Sequence, residues 1–177
     1  MYEEFVVSVE EYAPDIMAAE SKTPIIKAYR ATIDDLKDRF PDLRIVLMGD
    51  HVTAMPEESL LYSRVDFVLT GEDFDVNLLA LVNHLEKGTD ISPGIYFREG
   101  GDIRNTGKFE IKSCLGGLPF IDRKLTRWEL YSQKNGNFKC TSGTYTMFGR
   151  DCCWRKGGGC TLCSWATIFP KFGVTTP

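Results

Sequence analysis

Four of the chain's six cysteines fall in the stretch "CCWRKGGGCTLC", residues 152–163, with Lys156 and glycines 157–159 between them. Cysteines clustered in this way, in a chain expected to lie in the cytoplasm, are expected to hold a metal or do redox work rather than form structural disulfides. A structural zinc site needs four Cys or His ligands, usually as two close pairs. Cys160 and Cys163 make one CxxC pair, but Cys152 and Cys153 are adjacent, an arrangement in which side chains normally diverge, and Cys140 or Cys114 could complete such a site only through the fold. A thioredoxin-like dithiol would use Cys160 and Cys163 alone and leave Cys152 and Cys153 unexplained. An iron–sulfur cluster accounts for more of the loop, because three thiolates on one segment can hold three irons of a 4Fe–4S cube and leave the fourth open to a ligand. The glycines would let the backbone wrap closely around it. Four cysteines in twelve positions fit poorly with the plain alternative of buried apolar thiols beside a flexible turn.

The rest of the chain must position that loop. Of 177 residues, 43% are hydrophobic and 26% charged, a globular balance that excludes wholesale disorder or a fibrous class. The net charge of −4 comes without any basic block, so no surface suited to neutralising phosphates is expected and nucleic acid is not an expected partner. No apolar run has the length of a membrane span, and the expected compartment is the cytoplasm.

"YEEFVVSVEEYAPD" places Phe5, Val9 and Tyr12 at helical spacing before Pro14. "DIMAAE" follows as a short buried strand. "SKTPIIKAYRATIDDLKDRF" offers Thr23 as an N-cap and Pro24 at the first helical position. Ile25, Ile26, Tyr29, Ile33, Leu36 and Phe40 line its apolar face, and Lys27, Arg30, Asp34 and Lys37 fall elsewhere. "RIVLMG" has the unbroken apolar character of a central parallel strand. A loop and a short helix from Pro56 precede the strand "VDFVLT", and the helix "DFDVNLLALVNHLEKG" closes at Gly88. This alternation predicts a doubly wound, Rossmann-like parallel α/β domain over residues 1–88. Such a sheet normally opens with a strand whose loop lines the ligand crevice. Here a helix comes first, so the opening strand is expected to be missing. From residue 89 the pattern turns β-rich around "GGDIRNTG", a hairpin or longer turn. "CLGGLPFIDRKLTRWELY" reads as irregular linker to residue 140, and "FKCTSGTYTMFGRDCCW" as a strand running into the cysteine loop.

At this point the sequence resembles the cobalamin-dependent radical S-adenosylmethionine enzymes. "GTYTMFGRDCCWRKGGGCTLCSWATIFPKFGVTTP" is similar to their first barrel strand and cluster loop, with its Gly-Arg-Asp-Cys opening and Cys-Thr-x-Cys-Ser-Trp close. "APDIMAAESKTP", "PDLRIVLMGDHVTAMPEESL" and "VDFVLTGEDFD" resemble the cobalamin-binding domain, and "PGIYFREGGDIRNTGKFEI" with "LPFIDRKLTRWELY" the linker. The resemblance implies three parts: residues 1–88 binding cobalamin, 89–140 linking, and 141–177 beginning an incomplete (β/α) radical domain. It implies a 4Fe–4S cluster on Cys152, Cys160 and Cys163. Cys153 stands where the family usually has an aromatic residue, the first gap is longer than usual, and Leu162 replaces an aromatic. Cys153 is therefore a possible substitute for Cys152. Cobalamin contacts carry over to Glu20, Ser21 and Thr23, to Met48, Gly49, Asp50 and His51, and to Thr70, Gly71 and Glu72, all at expected strand ends. A plain tight turn is the alternative for Gly49 and Gly71. For His51 a hydrogen-bonded or exposed loop histidine is favoured over a cobalt ligand.

In that family the open iron binds S-adenosylmethionine, an electron from a reductant protein cleaves it to a 5′-deoxyadenosyl radical, and cobalamin often supplies a methyl group. The chain is expected to be a fragment, too short at Pro177 to complete the substrate pocket. The competing expectations are a non-catalytic cobalamin-binding module with an iron–sulfur or zinc tail, and a zinc-stabilised interaction protein.

Overall fold

Residues 45–48 are an unbroken apolar run with β-branched members, and with Arg44 they form the strand around which the fold is built. The computed structural model describes residues 2–71, 73–110, 117, 119–130 and 160–163. The chain divides into two units, Met1–Lys112 with Cys163–Pro170, and Ser113–Leu162 with Lys171–Pro177. In the first unit helix α1 (Tyr2–Tyr12) precedes strand β1 (Ile16–Glu20). A 3-10 turn (Thr23–Ile25) leads into α2 (Ile26–Arg39), then come β2 (Arg44–Met48), α3 (Asp50–Ala54), α4 (Pro56–Tyr62) and β3 (Phe67–Leu69). Helix α5 (Phe74–Lys87) and the hairpin of β4 (Ile95–Glu99) and β5 (Asp102–Asn105) complete it.

The five strands form one open sheet in the order β1-β2-β3-β4-β5. β1, β2 and β3 are parallel. β4 and β5 run antiparallel, so the sheet is mixed rather than all parallel. The chain re-enters beside the C-terminal end of β3, where the Gly94 carbonyl accepts from Thr70 N at 2.9 Å and Thr70 Oγ1 at 2.7 Å. A strand entering from that edge must run the opposite way. The hairpin that was expected to begin a linker beyond residue 88 thus extends the sheet itself. The order of the described strands never reverses. Successive right-handed crossovers moving one way across a sheet put their helices on one face, and α2, α3 and α4 do share a face.

Period-2 alternation splits β2 between two cores. Ile45 and Leu47 join Val6, Val9, Ile26, Ile33, Leu36, Val52, Leu60 and Val68 on one side. Val46 packs with Leu69, Leu81 and Ile95 beneath α5 on the other. At about 25 cal/mol per Å² of buried apolar area, a fully buried Leu or Ile contributes roughly 2 kcal/mol, so the larger cluster dominates. Gly88 ends α5 in the left-handed conformation at φ 66°, with open space where a Cβ would stand.

Three local expectations change. α1 buries Val6 and Val9, while Phe5 is 40% and Tyr12 82% exposed. The helix is oriented by Tyr2, whose hydroxyl donates to Asp35 Oδ2 at 2.6 Å. Partial burial and that bond push the hydroxyl up to about 12. Thr23 does not cap α2, because its hydroxyl is engaged elsewhere and the 3-10 turn intervenes. Arg30 lies inside the buried stripe of α2 with Ile26 and Ile33, whereas Ile25 is exposed. In the second unit Asp122 Oδ1 accepts from Lys124 N and Leu125 N at 3.0 and 3.2 Å, capping a turn in the stretch expected to be irregular. The expected barrel strand lies outside the described residues.

Candidate functional site

Three parallel strands deliver their C-terminal ends to one edge, the usual location of ligand loops in open α/β sheets. Glu20 stands beside Met48 in the register, so the loops after β1 and β2 are neighbours. Gly49 makes their approach possible. Its φ is 112°, and a Cβ there would stand 2.5 Å from the Ser21 carbonyl oxygen. Ser21 donates to the Met48 carbonyl through both N (2.6 Å) and Oγ (2.9 Å). Thr53 Oγ1 donates to Gly49 O at 2.8 Å and accepts from Gly71 N at 3.1 Å, joining the loops after β2 and β3. Gly71 (φ 95°) and Gly94 (φ 93°) together seat Phe109, which would meet their added Cβ atoms at 2.8 and 2.5 Å. Hydroxyls and glycines brace this edge, with backbone groups as partners.

A chain of side chains runs through the same edge. Thr23 Oγ1 lies 3.1 Å from His51 Nδ1, and His51 Nε2 lies 2.9 Å from Glu58 Oε2. Arg30 Nη2 sits 2.8 Å from the same carboxylate oxygen, with the guanidinium 5.7 Å from the centroid of the Tyr62 ring. The hydrogen bond from Arg30, followed by that of His51, holds the Glu58 carboxyl below its usual range. His51 is 7% exposed and bonded at both ring nitrogens, and it stands in α3 rather than in the loop expected for it.

The ten carried-over positions therefore divide. Ser21, Gly49, His51, Thr70 and Gly71 are buried and brace the edge. Glu20, Thr23 and Asp50 are exposed along it, and Met48 is half-buried. Glu72 lies outside the described residues. Sequence reasoning missed Arg30, Thr53, Glu58 and Phe109. Arg30 carried a signal, since it falls four residues after Ile26 and three before Ile33, at core spacing. Glu58 carried none, because its link to His51 depends on where α4 starts.

Cys160 and Cys163 are each exposed and unbridged, and Leu162 between them is 99% exposed. Cys114, Cys140, Cys152 and Cys153 lie outside the described residues. Among the described residues no group of three or more His, Cys, Asp or Glu stands together as a metal site. No helix among them is long and apolar enough to cross a membrane. No family model matches the chain, and no curated protein matches it either.

Proposed function

We propose that the chain is part of a cobalamin-dependent radical S-adenosylmethionine enzyme, with cobalamin held at the C-terminal edge of β1, β2 and β3 and a 4Fe–4S cluster on Cys152, Cys160 and Cys163. The observation that carries this reading is the exposure of Cys160 and Cys163 as free thiols. Soft thiolates suit iron–sulfur ligation, and an exposed CxxC pair with one further cysteine matches the three-ligand set. When bound, the cluster supplies the electron that cleaves S-adenosylmethionine, and cobalamin supplies methyl-transfer chemistry. A reductant protein is the expected partner.

The chain's own residues bind and orient. Glu20, Thr23, Met48 and Asp50 would face the cobalamin, and Ser21, Thr53 and Thr70 keep the loops under them rigid through bonds to backbone. Rigid support of this kind limits the ordering cost of binding a large ligand.

The test is the iron, sulfide and zinc content of the full chain, reconstituted without oxygen, as wild type and as Cys152→Ala, Cys153→Ala, Cys160→Ala and Cys163→Ala. The expected result is about four irons and four sulfides per chain, lost on changing Cys152, Cys160 or Cys163 and kept on changing Cys153. Stoichiometric zinc without iron would overturn the cluster.

A further inference from the structure

We infer that the chain Arg30–Glu58–His51 fixes Thr23 as a hydrogen-bond acceptor toward ligand, so that this edge selects a primary-amide N–H, the group that rims a corrin ring. The inference rests on the cobalamin reading and adds the polarity of one contact.

The polarity follows from the donor and acceptor capacities of the four side chains. An ionised carboxylate only accepts, and Arg30 at 2.8 Å keeps Glu58 ionised. The His51 Nε2, 2.9 Å from Glu58 Oε2, must therefore carry the proton. In its neutral form, an imidazole with Nε2–H has a bare Nδ1, which only accepts, and the polarity holds for that form. Thr23 Oγ1, 3.1 Å away, then donates its one proton to Nδ1. What remains to the exposed hydroxyl is its lone pairs. Burial of His51 keeps water from its ring nitrogens, so that Thr23 and Glu58 remain their partners. His51 acts through Thr23 and is a positioning residue.

Three components define the test. Hydroxocobalamin and its propionamide-derived monocarboxylic acids, in which one amide donor becomes an acceptor-only carboxylate, are titrated against the full chain and followed by visible absorbance. The proteins are wild type, Thr23→Ser and Thr23→Val. Thr23→Val is expected to weaken hydroxocobalamin binding about tenfold, and Thr23→Ser to retain it within about twofold, the scale of one hydrogen bond. At least one monoacid should bind wild type about tenfold more weakly than hydroxocobalamin, and lose that penalty in Thr23→Val. Unchanged affinity in Thr23→Val, or a monoacid penalty that persists in it, overturns the acceptor role while leaving the cobalamin reading intact. Absence of binding by wild type overturns the cobalamin reading, and the acceptor role with it.

Discussion

The two ends of the parallel strands are closed by different chemistry. At the N-terminal end charged side chains are spent on backbone groups. Asp66 Oδ2 accepts from Ile45 N at 2.7 Å and pairs with Lys37 Nζ at 2.6 Å. Lys37 also donates to the Leu43 carbonyl at 2.6 Å, and Arg98 donates to Val65 O and Ser63 O at 3.1 and 2.7 Å. At the C-terminal end hydroxyls do that work, and the partly buried charge pair Arg30–Glu58 instead serves a side chain that terminates at an exposed hydroxyl. Charge-assisted bonds to backbone are strong and fix the chain in place. A relay ending at the surface fixes the polarity of a contact instead. One end is a closure, and the other has the construction of a binding edge.

The sharpest way to break this comparison is Gly49→Ala. The substitution forces a side chain into a left-handed conformation at φ 112° and against backbone at 2.5 Å, which cannot yield by rotating a side chain. We expect a loss of about 3 kcal/mol in chemical denaturation, together with loss of cobalamin binding. Asp66→Ala strands the Ile45 N–H and one charge of Lys37. Because Asp66 keeps 30% side-chain exposure, water offsets part of the cost, and about 2 kcal/mol is expected. Cobalamin affinity should not move in the folded Asp66→Ala protein. A change there would mean that the two ends are not separable in function.

Much of this fold was legible in the sequence because its elements are locally determined. The unbroken run of β2, the repeat of α2 and the Gly88 stop of α5 each depend on neighbours within a few positions. The hairpin of β4 and β5 was legible only in part, since β5 itself (Asp102–Asn105) lies in the stretch "GGDIRNTG" read as the turn. Its place in the sheet was not legible, because that depends on Thr70 bonding Gly94, 24 residues away. The facing of α1 was misread for a similar reason, since Tyr2 is anchored by Asp35 across 33 positions. In the site, His51 was expected in a loop, exposed or hydrogen-bonded, and it stands buried in α3; only a hydrogen bond on it, as one of those alternatives, was foreseen. Its partners were not. Arg30 was set aside as a surface charge because the type of the residue outweighed its core spacing, and Thr23 was given a capping role that the histidine takes away. Phe109 could not be connected to Gly71 or Gly94 by any local pattern.

The smallest expected effect tests the relay end directly, through the pH dependence of Glu58. Its carboxyl is held below the ordinary value of 4.5, chiefly by the hydrogen bond from Arg30 and next by that from His51. A carboxyl with a depressed value in the folded state stabilises the fold above its unfolded value, and that contribution disappears as pH falls through the folded value. The difference in unfolding free energy between wild type and Glu58→Gln should therefore be flat from neutral pH down to about 5 and shrink below 4.5. Asp38, lowered in the same way by Arg64, titrates in the same direction in both proteins and cancels from the difference between them. Denaturant midpoints across this pH range measure it. The Gln amide can also donate to His51 Nε2, which frees Nδ1 to carry the proton and returns Thr23 to either role. Glu58→Gln is thus expected to relax discrimination against the cobalamin monoacids. A variant that loses stability with the expected pH profile while keeping full discrimination would show that the Arg30–Glu58 pair closes this end of the sheet as Lys37 and Asp66 close the other, and the contrast between the two ends would fall.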